Sequence, residues 1–192
     1  MNFTKENPAN ILAIVPHQDD FEFNAGGTFA ALRQRYGEAV RLKVIITSTG
    51  ASGHHEMGAD ATFRRRMEEA AESAARIGAE VECLTQLDGT HVAGQVLVTR
   101  NLLGGVWNAI RAFRTDYLFC PPTVSDPLAA VHVDHEETAR AVRLTGYQLS
   151  VPRAYPTIVT IATDAAKGNP PVGIEYRAPL IVLMDDVYNS ET

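Results

Sequence analysis

Apolar positions along the chain follow two different periods. Short runs rich in β-branched and aromatic residues are typical of strands, and they occupy residues 11–15, 41–47, 80–84 and 117–122. Apolar residues recur at helical spacing in four other segments, residues 27–37, 61–78, 98–114 and 134–146. Strands that alternate with helices favour right-handed βαβ units. We therefore expect an α/β fold with a Rossmann-like, mostly parallel sheet and helices on both faces.

The sequence changes after about residue 150, where prolines become frequent. Two further strands are predicted there, at residues 157–163 and 178–184. No helix is predicted after the last strand, so we expect either additional chain beyond the present C-terminus or another subunit to cover it. A chain of 192 residues that is 45% hydrophobic can bury one substantial core. We expect residues 1–192 to form a single domain.

Histidines and carboxylates cluster where predicted strands end. The segment PHQDD at residues 16–20 follows the first strand directly, and HVDH at residues 132–135 lies between the fourth strand and its helix. In open α/β sheets, ligands bind outside the carboxyl ends of the strands. The sequence therefore predicts an active site at this edge of the sheet.

Three of these residues form a candidate metal site, namely His17, Asp20 and His135. Imidazole and carboxylate ligands suit zinc or ferrous iron, and three protein ligands leave a position open for water. A hydrolase needs such a position. Asp19 is adjacent to Asp20 but must point elsewhere, so it is a candidate general base for that water.

The HVDH segment also contains a candidate acid. His132 precedes the predicted helix and is a candidate for protonating an amine leaving group, with Asp134 orienting its ring or raising its pKa. The alternative for Asp134 is a structural role as the helix N-cap, with Glu137 as its capping-box partner. The sequence leaves both roles open.

Four segments together resemble one protein family. PHQDDFEFNAGGTFA, at residues 16–30, resembles the PHPDD-x(5)-GGT signature of the PIG-L/LmbE-like N-deacetylases, which are GlcNAc-PI de-N-acetylase-like proteins. HVDH resembles their second motif, HPDH. Residues 66–81 are similar to the family's RxxE helix, and LDG at residues 87–89 resembles its short Asp-Gly segment. The resemblance spans roughly residues 10–146, in the family's order.

This resemblance implies a Rossmann-like deacetylase fold and a zinc, sometimes iron, centre. It also implies hydrolysis of an N-acetyl or related N-acyl group from an amino sugar or its conjugate. The residues that match the family's metal ligands are His17, Asp20 and His135. The residues that match its other site positions are Asp19 as general base, His132 as the group that stabilises or protonates the tetrahedral intermediate, and Asp134 as the partner of that histidine. Arg66 matches a substrate-loop or structural arginine, and Arg66 and Asp88 are candidate substrate contacts.

The chain departs from the family pattern at three places. Gln18 replaces the usual proline, and Phe21 replaces an acidic residue and is expected to pack under the loop. A tyrosine that helps hold the oxyanion in some members has no counterpart in PLAAVHVDH. Stabilisation of the oxyanion would then depend on the metal and His132, or on a residue that the sequence does not identify.

Charge and cysteine content exclude several classes of protein. The net charge of −6 is spread along the chain, so no basic nucleic-acid or membrane surface is expected. Two cysteines, Cys83 and Cys120, cannot form a disulfide framework. The N-terminus has no signal core, and no segment is long enough to span a membrane. We expect a cytoplasmic protein whose partner is a small N-acetylated sugar or conjugate. The sequence does not determine whether the protein forms a homo-oligomer.

Two other functions remain as alternatives. One is a non-catalytic carbohydrate-binding or regulatory protein on the same fold, although binding alone needs neither Asp19 nor His132. The other is a non-haem iron oxygenase with HVD in a facial triad, which the alternation of strands and helices disfavours. The specificity loops are expected at residues 48–60, 123–131 and beyond 150.

Overall fold

A computed structural model describes residues 4–123, 132–151, 154–155 and 178–184 of the chain. The five strands are β1 (Ala9–Val15), β2 (Val40–Ile46), β3 (Ala79–Cys83), β4 (Tyr117–Cys120) and β5 (Leu180–Leu183). The five helices are α1 (Asp20–Asn24), α2 (Gly26–Tyr36), α3 (Ala59–Arg76), α4 (Arg100–Ala112) and α5 (Val133–Thr145). The strand predicted at residues 157–163 lies outside the described residues.

The described strands form one sheet in the order β3-β2-β1-β4-β5, and all neighbours are parallel. This confirms the expected α/β fold. The chain builds the sheet outward from β1 to β3 and then returns to the other side of β1 to add β4 and β5. The order therefore reverses between β1 and β4, and ligands bind at such a switch point in open α/β sheets. Residues that follow β1 and β4 are consequently brought to one crevice.

Both faces of the sheet carry a hydrophobic core. The side chains of β1 alternate between them, since successive residues of a strand point to opposite faces. Leu12 and Ile14 pack in the core that contains α4 and α5. Ile11, Ala13 and Val15 pack in the core that contains residues of α2 and α3. A central strand buried on both faces fixes the position of the residues at its carboxyl end.

A short helix that the sequence did not predict begins within the candidate metal-site motif PHQDD. It is α1, and it starts at Asp20. Phe21 lies on its buried side, and the ring centroids of Phe21 and Phe29 are 5.1 Å apart in an edge-to-face arrangement. Where the family that the sequence resembles has an acidic residue, this chain therefore uses an aromatic side chain to pack α1 against α2.

Among the described residues, no helix has the length and apolar character needed to cross a membrane. The expected cytoplasmic location stays a prediction.

Candidate metal centre and active-site cleft

Three predicted metal ligands meet at the switch point of the sheet. His17 and Asp20 lie where β1 leads into α1, and His135 lies in the first turn of α5. The distance from His17 Nδ1 to Asp20 Oδ2 is 3.2 Å, and the distance from His135 Nε2 to Asp20 Oδ1 is also 3.2 Å. One ligand atom from each residue lies within 4.8 Å of the other two.

The backbone holds the Asp20 carboxylate in place. Its Oδ2 accepts a hydrogen bond from the main-chain N–H of His17 at 2.8 Å. Burial raises the pKa of Asp20, but hydrogen bonds and charge interactions with His135 and His17 lower it more, so the pKa lies well below its ordinary value. The carboxylate is therefore ionised at neutral pH and available to a cation.

His17 lies between two carboxylates. Its burial lowers the pKa, but hydrogen bonds and charge interactions with Asp20 and Asp134 outweigh burial, so the pKa is raised. A metal ligand must be neutral imidazole, so a cation that binds His17 has to displace its proton. Metal affinity at this site should therefore weaken as the pH falls.

The donor atoms fit a small divalent ion. Zinc binds imidazole nitrogen and carboxylate oxygen at about 2.0 to 2.2 Å, which places neighbouring ligand atoms of a tetrahedral site roughly 3.3 Å apart. Both nitrogen-to-oxygen distances at Asp20 are close to that value. Two imidazoles and a carboxylate are also ligands that ferrous iron accepts. The residues present therefore fit the predicted metal.

Asp134 contacts the metal-site histidine directly. Its side chain is 6% exposed, and its Oδ2 lies 3.0 Å from His17 Nε2. Its Oδ1 accepts the main-chain N–H of Val96 at 2.8 Å. The same Oδ2 is 3.9 Å from His132 Nδ1, beyond hydrogen-bond distance. Of the two histidines, the Asp134 carboxylate therefore contacts His17 rather than the His132 expected from the sequence.

The structure also corrects the predicted start of the last helix. The N-cap of α5 is His132, whose Nδ1 accepts the main-chain N–H of Asp134 at 3.2 Å. Asp134 is the second helical residue, and Glu137 accepts the N–H of Val98 instead of forming a capping box. An imidazole whose Nδ1 accepts this bond carries its proton on Nε2 when neutral. His132 can therefore offer Nε2 as a donor to a bound molecule.

Asp19 contacts Arg66 and is not part of the metal-ligand cluster found among the described residues. Its side chain is 61% exposed, and its Oδ1 accepts a hydrogen bond from Arg66 Nη2 at 2.8 Å. Arg66 also donates to the carbonyl of Gly50 at 3.3 Å. Arg66 therefore joins the candidate base to the segment that follows β2.

Asp88 makes its contacts elsewhere. Its carboxylate accepts bonds from the backbone and hydroxyl of Thr90 and from Asn101 Nδ2, the last at 2.6 Å. These bonds stabilise the turn after β3. A substrate contact by Asp88 stays a prediction.

A cleft of about 680 Å³ contains the site. It is lined by His17, Asp19, Asp20, Ser48, Arg66, Gly94, Gln95, and residues 50–53 and 132–135. The predicted metal ligands, base and acid thus share one cleft. Ser48 and residues 50–53 belong to the specificity loop predicted at residues 48–60. Nothing in the sequence indicated Gly94 and Gln95.

The fold and the cleft define the class of this protein: it is an α/β protein with histidines and aspartates clustered at the switch point of its parallel sheet. The family profile described as PIG-L, GlcNAc-PI de-N-acetylase, matches residues 12–145, more than half of the chain. The chain therefore belongs to the PIG-L family. A comparison with curated proteins found no match.

Three solved structures show the same fold. The N,N'-diacetylchitobiose deacetylase from Pyrococcus horikoshii, complexed with its inhibitor MPG, is 19% identical with a TM-score of 0.70, over 96% of this chain and 64% of that one. GalB, the 4-carboxy-2-hydroxymuconate hydratase from Pseudomonas putida KT2440, is 20% identical with a TM-score of 0.60, over 87% of this chain and 63% of that one. A deacetylase–teicoplanin complex is 15% identical with a TM-score of 0.53, over 73% of this chain and 66% of that one.

These similarities cover only part of the other proteins. The chain spans less than two thirds of the length of each of these solved structures. Deacetylases and a hydratase share the fold, so the fold alone does not determine the reaction.

Proposed function

We propose that the protein is a metal-dependent hydrolase that removes an N-acetyl or related N-acyl group from an amino sugar or its conjugate. The observation that carries this proposal is the convergence of His17, Asp20 and His135 in one cleft with Asp19 and His132. Membership of a de-N-acetylase family supports it. The similar Pyrococcus protein is a deacetylase of N,N'-diacetylchitobiose, an N-acetylated sugar, which supports the substrate class.

His17, Asp20 and His135 would hold the ion, which we expect to be zinc or ferrous iron. When bound, the ion supplies Lewis acidity toward the acyl carbonyl and lowers the pKa of water. Asp19 accepts the proton of the attacking water. Arg66 occupies one oxygen of the Asp19 carboxylate and thereby orients the other, so that the base does not have to be ordered during the reaction.

His132 acts on the other half of the reaction. The C–N bond of an amide breaks readily only when the departing nitrogen receives a proton, because an amide anion is a poor leaving group. His132 lines the cleft, is 60% exposed, and lies with its ring centroid 5.0 Å from that of His17. With both ring nitrogens protonated, His132 donates its Nε2 proton to the leaving amine and becomes neutral imidazole, whose Nδ1 can accept the N–H of Asp134. The free amino sugar and the carboxylic acid are the products.

Acetate release tests the proposal directly. The purified protein, loaded with zinc or with ferrous iron, would be incubated with N-acetylglucosamine and with N,N'-diacetylchitobiose while acetate and primary amine are measured. We expect equal amounts of both products, loss of activity on chelation, and recovery when metal is returned. Sugar binding without acetate would favour the carbohydrate-binding alternative. Loss of the double bond of an unsaturated acid, without acetate release from either sugar, would favour a hydratase.

Asp134 provides a prediction about metal affinity. Asp134→Asn replaces the oxygen that faces His17 Nε2 or the one that faces the Val96 N–H with an amide NH2, so one of these two donors loses its acceptor. Since outer-shell partners of histidine ligands typically contribute about 10- to 100-fold to metal affinity, the metal Kd should rise by that factor. Titration of the metal-free protein with zinc measures it.

Glu137→Gln is the matched control for this change. Glu137 lies on the same helix, accepts the main-chain N–H of Val98 and pairs with Arg140. Its amide oxygen can still accept that bond, so metal affinity should stay at the parental value. Equal Kd values for Asp134→Asn and Glu137→Gln would contradict the role given to Asp134.

A further inference from the structure

Gln18 has a buried contact that its place in the motif does not explain. It lies between the proposed metal ligand His17 and the proposed base Asp19, but it has neither of these roles itself. The residue is 4% exposed, and its Nε2 donates to the carbonyl of Thr49 at 2.8 Å. Thr49 follows β2, so this bond joins the turn after β1 to the loop after the neighbouring strand. Removing the donor of such a bond leaves a buried carbonyl without a partner, which destabilises this arrangement of the loop.

Arg66 contacts the same loop from α3. Its Nη1 donates to the carbonyl of Gly50, the residue next to Thr49, while its Nη2 donates to Asp19. Two consecutive carbonyls of the loop are therefore held by two side chains from different elements. Because Arg66 also binds Asp19, it can hold the base in place when the bond from Gln18 to the loop is lost.

The loop backbone lies so close to both side chains that a Cβ at either of two glycines would displace one of them. Gly50 has a φ of +60°, and a Cβ there would lie 2.2 Å from Gln18 Oε1. A Cβ at Gly53 would lie 2.6 Å from Arg66 Nη1. Gly53 in turn donates its N–H to the carbonyl of Gly50 at 3.0 Å. The loop is thus packed onto Gln18 and Arg66 on one side, and residues 50–53 line the cleft on the other.

We infer that Gln18 and Arg66 form a clamp that fixes residues 48–53 as a wall of the cleft, with Gln18 as a positioning residue for substrate binding. The part of this inference that concerns substrate rests on the proposed function. The wall consists largely of Gly, Ala and Ser, so it presents mainly backbone groups to a bound molecule. The position of such a wall depends on the contacts beneath it. Gln18 does not touch the metal ligands' donor atoms or Asp19's carboxylate in the described hydrogen bonds, so its loss should affect binding more than chemistry.

The first test measures the loop itself. Gln18→Met keeps the size of the side chain and removes the donor to Thr49; Gln18→Asn keeps an amide that is too short to reach that carbonyl, and it preserves polarity if the methionine variant folds poorly. Amide hydrogen exchange of peptides covering residues 48–53 should become about tenfold faster in both variants. The control is Asn10→Leu, which removes a side-chain hydrogen bond to the carbonyl of Arg114 near the amino ends of the strands. It should leave hydrogen exchange of the loop unchanged.

The second test separates binding from chemistry. With an N-acetylated sugar, Gln18→Met should raise KM by about three- to tenfold and change kcat by less than about twofold. A fall in kcat with KM unchanged would overturn the positioning role. Loop exchange at the parental rate in both Gln18 variants would overturn the clamp. If the parent protein releases no acetate, the proposed function fails, while hydrogen exchange still decides whether the clamp exists.

Discussion

Asp20→Ala is expected to abolish metal binding at stoichiometric concentrations and, with it, hydrolysis. Asp20 is the residue that contacts both histidines of the site, one through each carboxylate oxygen. Its removal takes away a ligand and the negative charge that favours a cation. Loss of an outer-shell partner alone costs about 10- to 100-fold in metal affinity, so loss of this ligand should cost more than about 100-fold. Metal analysis after gel filtration, with turnover measured in parallel, checks the result.

Activity of Asp20→Ala should return in part when excess metal is added. Asp116→Ala is the matched control, because Asp116 is an exposed carboxylate that accepts the N–H of Asn10 at the amino end of the strands. It should retain metal and activity. Because Asp20 also accepts the N–H of His17, Asp20→Asn separates charge from turn structure: it keeps an acceptor oxygen and should still lose metal. Full metal occupancy in Asp20→Ala would refute the assignment of Asp20 as a ligand.

The sequence predicts much of this arrangement because the two motifs follow strands. Periodicity alone gives alternating strands and helices and hence a parallel sheet. It does not give the order of the strands, since β3 and β4 are consecutive along the chain but lie on opposite sides of β1. General knowledge of open α/β sheets places a site at the strand ends, which is why PHQDD and HVDH could be expected to meet.

The partner of Asp134 could not be predicted from sequence, because it depends on where α5 begins. A helix with Asp134 as its N-cap would begin at residue 135. The helix begins two residues earlier, at Val133, so His132 is the N-cap and the Asp134 carboxylate contacts His17 and the Val96 N–H. The spacing within HVDH suggests that Asp134 pairs with its neighbour His132, whereas its carboxylate contacts His17, which is 117 positions away in the sequence.

Gln18 is a second example of a contact that only the fold provides. In the sequence it is a polar residue in a turn, where a polar side chain is ordinarily solvated. The parallel pairing of β1 with β2 places the loop after β2 directly over that turn, and the two glycines allow the backbone to approach. The hydrogen bond to Thr49 therefore explains why a polar residue, Gln18, is found where the family has a proline. The sequence spacing between the two residues does not reveal this contact.

Asp19→Asn is expected to separate proton transfer from metal binding. Asparagine is nearly isosteric with aspartate, and its amide oxygen can still accept the hydrogen bond from Arg66 Nη2, so the side chain should keep its direction in the cleft. It cannot accept a proton from water at neutral pH. Loss of a general base typically costs about 10²- to 10⁴-fold in rate, and we expect kcat to fall within that range.

The metal content of Asp19→Asn should equal that of the parent protein, because Asp20 is unchanged and the Asp19 side chain points to Arg66 rather than to His17 or His135. Asp116→Asn, the same change at the opposite edge of the sheet, should alter neither metal content nor kcat. The decisive measurement pairs bound metal with turnover in Asp19→Asn and Asp20→Ala. If Asp19→Asn hydrolyses an N-acetylated sugar at the parental rate, or if it loses its metal while Asp20→Ala retains it, the two adjacent carboxylates do not have the roles proposed for them.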